Sequence, residues 1–166
     1  MKTKIFIPFI IAVLTMLSCD NKEDCCFNIG PSIALCVEDQ YGNDLFDQKI
    51  PGAIDTTAME IYCIKNGEPV LIYNEMMDAP RGYWFVKYPD IENLVMHFAI
   101  MSDFDKDNKS TTIIKWNNLE SDTITILAER NPNSVYAIDH WINDSKDIDW
   151  INSKYNENTA RIIKQR

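Results

Sequence analysis

Histidine is almost missing from this chain: His97 and His140 are the only two among 166 residues. Imidazole is the commonest proton carrier and metal ligand near neutral pH, and either role needs partners that converge on it. Read as strand residues, His97 shares a face with Val95 and Ala99, and His140 shares one with Tyr136 and Ile138. Both are therefore expected at the edge of a core. Neither a Ser-His-Asp nor a Cys-His arrangement can be assigned, since such triads are defined by geometry. No enzyme activity and no cofactor are expected. Basic residues are scarce too, with 16 Lys and Arg against 25 Asp and Glu and a net charge of −9. A field of that sign opposes a polyanion, and no Lys/Arg cluster in the sequence runs against it, so nucleic acid is not an expected partner. Long apolar runs are confined to one, Ile5 to Leu17. A spanning helix needs about 20 apolar residues, so this run reads as an export signal.

The run, preceded by Lys2 and Lys4, ends in Met16-Leu17-Ser18-Cys19, which resembles the lipobox of bacterial lipoproteins. A cysteine is required there because its thiolate accepts the lipid, and small residues ahead of it let the peptidase hold the bond. Residues 1–18 are thus expected to be a lipoprotein signal peptide and Cys19 the lipidated residue. Loss of Lys2 and Lys4 leaves 14 basic against 25 acidic residues, a net charge of −11. Two or more acyl chains hold a protein at a bilayer durably where one does not. Asp20-Asn21-Lys22-Glu23-Asp24 lies in a polar tether, 19–28. It resembles the Lys followed by acidic residues that directs lipoproteins of the Bacteroidota to the outer face of the outer membrane. The expected location is therefore the outer membrane, facing outward, with a periplasm-facing anchor as the alternative. Mass spectrometry of membrane-extracted protein should show a diacylglyceryl-modified peptide beginning at Cys19; an unmodified Cys19 peptide would sink this reading.

Four cysteines remain: Cys25, Cys26, Cys36 and Cys63. An even number in an exported chain suits disulfides, and adjacent Cys25 and Cys26 do not readily pair with each other. One would join Cys36 and the other Cys63; unpaired buried thiols are the alternative. Zinc is disfavoured because a second Cys-x-x-Cys knuckle is missing.

The dominant period from Ile29 onward is two. Ile33, Leu35 and Val37 alternate with Ala34, Cys36 and Glu38, and Asp39 to Asp44 supplies turn residues. Met59–Lys65, Val70–Tyr73, Tyr83–Tyr88, Leu94–Met101, Thr111–Trp116, Thr123–Glu129 and Val135–Ile142 read as further strands. Asn66-Gly67 tolerates positive φ and predicts a two-residue type I′ hairpin turn. With no amphipathic helix of three turns, the expected fold is all-β: a single antiparallel β-sandwich domain over 29–151, immunoglobulin-like or transthyretin-like. The polar stretch 152–166 is expected to be a peripheral C-terminal tail. Asp and Asn make up 31 residues, mostly in connections that they cap.

Asp24-Cys25-Cys26, the alternating strand to Val37, Gly42-Asn43-Asp44-Leu45 before Pro51-Gly52, Ile61-Tyr62 before Asn66-Gly67, Pro80-Arg81-Gly82, and Asp122-Thr123-Ile124 before Trp141 together resemble small uncharacterised surface lipoproteins of gut Bacteroidota. The resemblance spans Cys19 to Trp150. Where those relatives close with Trp-Tyr-Asn-Gly, this chain has Trp141-Ile142-Asn143-Asp144. The family carries no known activity, so the resemblance transfers no site residue.

Two constellations qualify as candidate sites. Asp103, Asp105 and Asp107 have the opening spacing of an EF-type loop, but Asn108 stands where glycine is needed and Ile114 where a bidentate glutamate is needed. A solvated hairpin loop is the simpler reading, with weak calcium binding as the alternative. Four tryptophans raise the second: aromatic rings stack on sugars while Asp and Asn bond hydroxyls. Trp116, beside Asn117-Asn118, and Trp141, beside Asn143, are the candidates for ligand stacking. The expected role is that of an outer-membrane-anchored lipoprotein with an accessory, structural or interaction function. A glycan- or peptide-binding surface module and a weak calcium-binding module are the alternatives.

Overall fold

The computed structural model describes residues 32–100, 104–131, 134–155 and 159–166. The signal peptide, Cys19, the tether, Cys25, Cys26, Asp103 and the Pro132-Asn133 turn fall outside the described residues. The described residues form ten strands: β1 (Ser32–Asp39), β2 (Glu60–Lys65), β3 (Glu68–Leu71), β4 (Tyr83–Val86), β5 (Val95–Ala99), β6 (Lys109–Lys115), β7 (Ser121–Asn131), β8 (Ser134–Ile142), β9 (Asp149–Ile151) and β10 (Thr159–Lys164). They form two five-stranded sheets, sheet A in the order β4-β5-β1-β10-β9 and sheet B in the order β3-β2-β6-β7-β8. Among the described residues there is no helix. The fold is an all-β sandwich.

Alternation builds the core. From sheet A, Ile33, Leu35 and Val37 of β1, Met96 and Phe98 of β5, and Ala160 and Ile162 of β10 point inward. They meet Ile61 and Cys63 of β2, Ile114 of β6, and Ile124 and Ile126 of β7 from sheet B. On β6, and on β7 as far as Ala128, every second side chain is buried, and the β-branched Thr and Ile between them suit a pleated, half-exposed surface. The hairpin between β2 and β3 closes through Asn66 (φ 53°) and Gly67 (φ 86°), pairing Lys65 with Glu68. Pro69 and Glu68 then blunt the outer edge of β3, since proline donates no ladder hydrogen bond.

Three expectations need correction. First, 152–166 is not a peripheral tail. It supplies β10, which lies between β1 and β9, with Ala160 fully buried. Second, the sandwich is not wholly antiparallel, because β10 runs parallel to β1. The cause is topological: β5 already occupies one edge of β1, and a chain turning back from β9 reaches the other edge in the direction of β1. Third, His140, Tyr136 and Ile138 do not share one face. A bulge between Leu127 and Ala128 leaves Ile138 without an opposite residue, which turns His140 inward while Tyr136 and Ile138 are exposed.

Gly82, just before β4, has φ 77°, and an added Cβ would stand 2.6 Å from Ile72 Cγ2. Gly82→Ala should therefore cost about 2 kcal/mol or more, from positive-φ strain and overlap combined. A urea-unfolding midpoint unchanged from the wild type would contradict this.

Candidate functional site

The two tryptophans singled out as stacking candidates have opposite fates. Trp116 is only 1% exposed and ranks among the largest fully buried side chains, so it cannot stack on a ligand. Its ring lies 6.2 Å from that of Phe46, and its Nε1–H donates to Asp122 Oδ2 at 2.5 Å. The neighbouring asparagines mislead because pleat parity outranks them: Ser110, Thr112 and Ile114, on the same side as Trp116, are all buried.

Trp141 is half-buried on the outer face of sheet B. It stands opposite Thr125 on β7, which in turn stands opposite Thr111 on β6. The two threonine hydroxyls lie 3.2 Å apart. Two ammonium groups approach the indole, Lys146 Nζ at 4.5 Å and Lys109 Nζ at 5.1 Å from the ring centroid. Lys146 also pairs with Asp139 and holds that carboxyl below its ordinary range. At the far end of the threonine row, about 10 Å across two strand spacings, a cleft of about 440 Å³ opens. Ile64, Lys65, Phe104, Lys106, Lys109 and Thr111 contribute to its walls, with the β2–β3 turn at one lip. Lys109 thus serves both the cleft and the indole. Two smaller clefts, of about 270 and 300 Å³, lie beside Tyr73 and Leu119.

The acidic loop folds as a capped turn. Asp105 Oδ1 accepts from the backbone N–H of Asp107 at 2.8 Å and of Lys109 at 2.9 Å, while Asn108 adopts φ 58°. The Lys109 N–H is the chief cause that lowers the Asp105 pKa, aided by the Asp107 N–H and the ammonium groups of Lys109 and Lys106. The carboxylate therefore already has protein donors, and no group of three metal-ligating residues assembles among the described residues.

Cys36 and Cys63 are both free thiols and lie in different layers; the bridges expected from them lead to Cys25 and Cys26, which lie outside the described residues. Cys63 belongs to the core between the sheets, where its Sγ donates to Val70 O at 3.7 Å. Cys36 faces the opposite side of sheet A, packed with Ala34, Ile91 and Val95 beneath the β4–β5 connection. Burial, reinforced by Glu38 and Asp44, pushes its thiol up to about 12, which leaves it protonated and poorly nucleophilic. His97 is buried on the same layer, stacked on Trp84 at 5.5 Å and bonded through Nε2 to Tyr88 OH at 2.9 Å. Desolvation lowers the pKa of His97 and, with a smaller opposing contribution from Asp139, that of His140.

Sequence reasoning missed the two most exposed tryptophans, Trp84 at 41% and Trp150 at 39%. Both lie on edge strands and rest on histidines, Trp150 against His140 at 5.3 Å. For Trp150 the flanking Asp147 and Asp149 were an available signal; for Trp84, inside an aromatic run, there was none. Nor could sequence spacing bring Lys109 and Lys146 to Trp141, since that meeting depends on the β6-β7-β8 register. No protein-family model, curated protein or solved structure matches this chain.

Proposed function

We propose that this chain is a lipid-anchored outer-membrane protein that works by binding rather than by catalysis, and that its binding face is the outer surface of sheet B. The observation that carries the reading is Trp141: a half-buried indole held by two lysines, joined by a row of threonine hydroxyls to an open cleft. An aromatic face next to hydroxyl and ammonium donors suits a sugar, which offers an apolar ring face and a rim of acceptors. The anchor is Cys19, and an outward-facing attachment would place this surface where extracellular glycans are met. Within the sandwich class, an immunoglobulin-like or transthyretin-like relationship is the finer reading; packing of two sheets over one core supports it, and the parallel β1–β10 pair departs from it.

The test is a glycan array probed with the detergent-extracted, full-length lipoprotein and with Trp141→Ala. The wild type should retain at least one glycan class, and Trp141→Ala should weaken that binding about tenfold, as loss of a stacking contact worth about 1.4 kcal/mol predicts. An array with no glycan retained, or retention indifferent to Trp141, would overturn the proposal.

A further inference from the structure

We infer that the ligand of the sheet B face is an acidic glycan, one bearing carboxylate or sulfate groups, a conclusion that rests on the binding role proposed for Trp141. The whole-chain charge of −9 disfavours such a ligand at long range. Screening limits that field to roughly 8–10 Å under physiological salt, so within the cleft the local groups decide. There, among the described residues, the sign reverses: Lys65, Lys106 and Lys109 contribute to the lining, against Asp105 as the single described acid in it. Asp105 keeps its charge but is engaged by its own loop, where Oδ1 accepts two backbone N–H groups. Asp139 is paired with Lys146 on the Trp141 side. Further along the face, Glu60 is paired with Lys115 at 3.4 Å.

Neither Lys106 nor Lys109 forms an ion pair with a described residue. The ammonium of Lys109 rests instead against an indole, a weak and exposed arrangement. An incoming sugar ring can take that place on Trp141. Lys109, pivoting at the cleft lip, then exchanges the ring for a carboxylate or sulfate oxygen, a stronger and charge-assisted partner. Thr111 Oγ1 and Thr125 Oγ1, midway along the row, are placed to bond sugar hydroxyls. A neutral glycan would displace Lys109 from the indole without offering it a replacement charge. The arrangement therefore favours acidic over neutral sugars of the same ring geometry.

The experiment measures binding of the detergent-extracted full-length protein to polygalacturonate, heparin and neutral dextran at about 50 mM and about 300 mM salt, a range over which screening changes strongly. Vesicles containing phosphatidylglycerol form a separate arm. Binding to at least one acidic polymer, about tenfold tighter than to dextran and weakened by salt, is expected. Lys106→Gln with Lys109→Gln should reduce it about tenfold with an unchanged melting temperature. Lys49→Gln with Lys87→Gln, which removes the same charge from exposed positions elsewhere, should leave it within about twofold. Equal loss in both double variants would reduce the effect to net charge and overturn the inference. Trp141-dependent binding to neutral glycans alone would overturn the acidic class yet leave the binding role standing; no glycan bound at all would remove both. Vesicle binding that needs the two lysines but not Trp141 would assign the cleft to a membrane surface instead.

Discussion

A chain ending at Tyr155 is expected not to fold. The missing segment contains β10, whose loss unpairs one edge of β1 along Ala34–Asp39 and removes the sheet partner that β9 has among the described residues. It also takes Ala160 and Ile162 out of the core, opening a gap beside Leu35 and Val37. Unmade ladder bonds and wet apolar surface add up across a whole strand. A domain of this size has only about 5–15 kcal/mol of net stability to lose. Circular dichroism through a thermal ramp should show no cooperative transition for the truncated chain, and limited proteolysis should digest it throughout. A truncated protein that still melts cooperatively, near the wild-type midpoint, would show that β10 is dispensable.

Asp122→Ala is expected to be the most damaging single substitution, at about 3–5 kcal/mol. Asp122 is buried on β7 and gathers three donors: Trp116 Nε1 and the Lys164 ammonium at Oδ2, and Asn143 Nδ2 at Oδ1, 2.6 Å away. Lys164 comes from β10, so this carboxylate pins sheet A to sheet B. Glu120 extends the clasp, taking Lys164 at 3.1 Å and Arg166 at 2.9 Å, while the Gln40 side-chain amide donates through Nε2 to Arg166 O and accepts the Arg166 N–H at Oε1. Alanine at 122 leaves a buried indole N–H unsatisfied and deprives a nearly buried ammonium of one of its two carboxylates, costs that no local relaxation recovers. Asp122→Asn keeps an acceptor for Trp116 and should cost about half as much. Because the two groups share one network, Asp122→Asn combined with Lys164→Met should cost less than the sum of the single changes. Urea-unfolding midpoints for the wild type and the four variants decide it; a cost below about 1 kcal/mol for Asp122→Ala would show the clasp to be ornamental.

The proposed binding face and the clasp use opposite sides of sheet B. Side chains alternate across β6 and β7, so Ser110, Thr112, Ile114 and Asp122 serve the interior while Lys109, Thr111 and Thr125 serve the exterior. Ligand-side substitutions can therefore alter binding without touching the residues that hold the sheets together. This is why the lysine variants above are expected to keep their melting temperature.

Much of the sandwich was legible from residue order alone because its cause is local. A strand's pleat sends successive side chains to opposite faces, so the alternation of Ile33, Leu35 and Val37, and that along β6 and β7, announces a strand. Asn66-Gly67 likewise announces its turn, since positive φ is a property of those residues themselves. β10 was illegible for the opposite reason. Thr159-Ala160-Arg161-Ile162-Ile163-Lys164 is flanked by polar residues, and its burial depends on a distant strand edge and on distant carboxylates that accept Lys164. Composition near the strand ends was a poor guide to exposure, as Trp116 shows. What the amino-acid order determined by itself was the period-two core and its tight turn, both set by backbone geometry within a few residues. The tertiary structure alone decided that the last strand closes sheet A and that Lys109 and Lys146 meet Trp141, because each depends on a register between segments far apart in the chain.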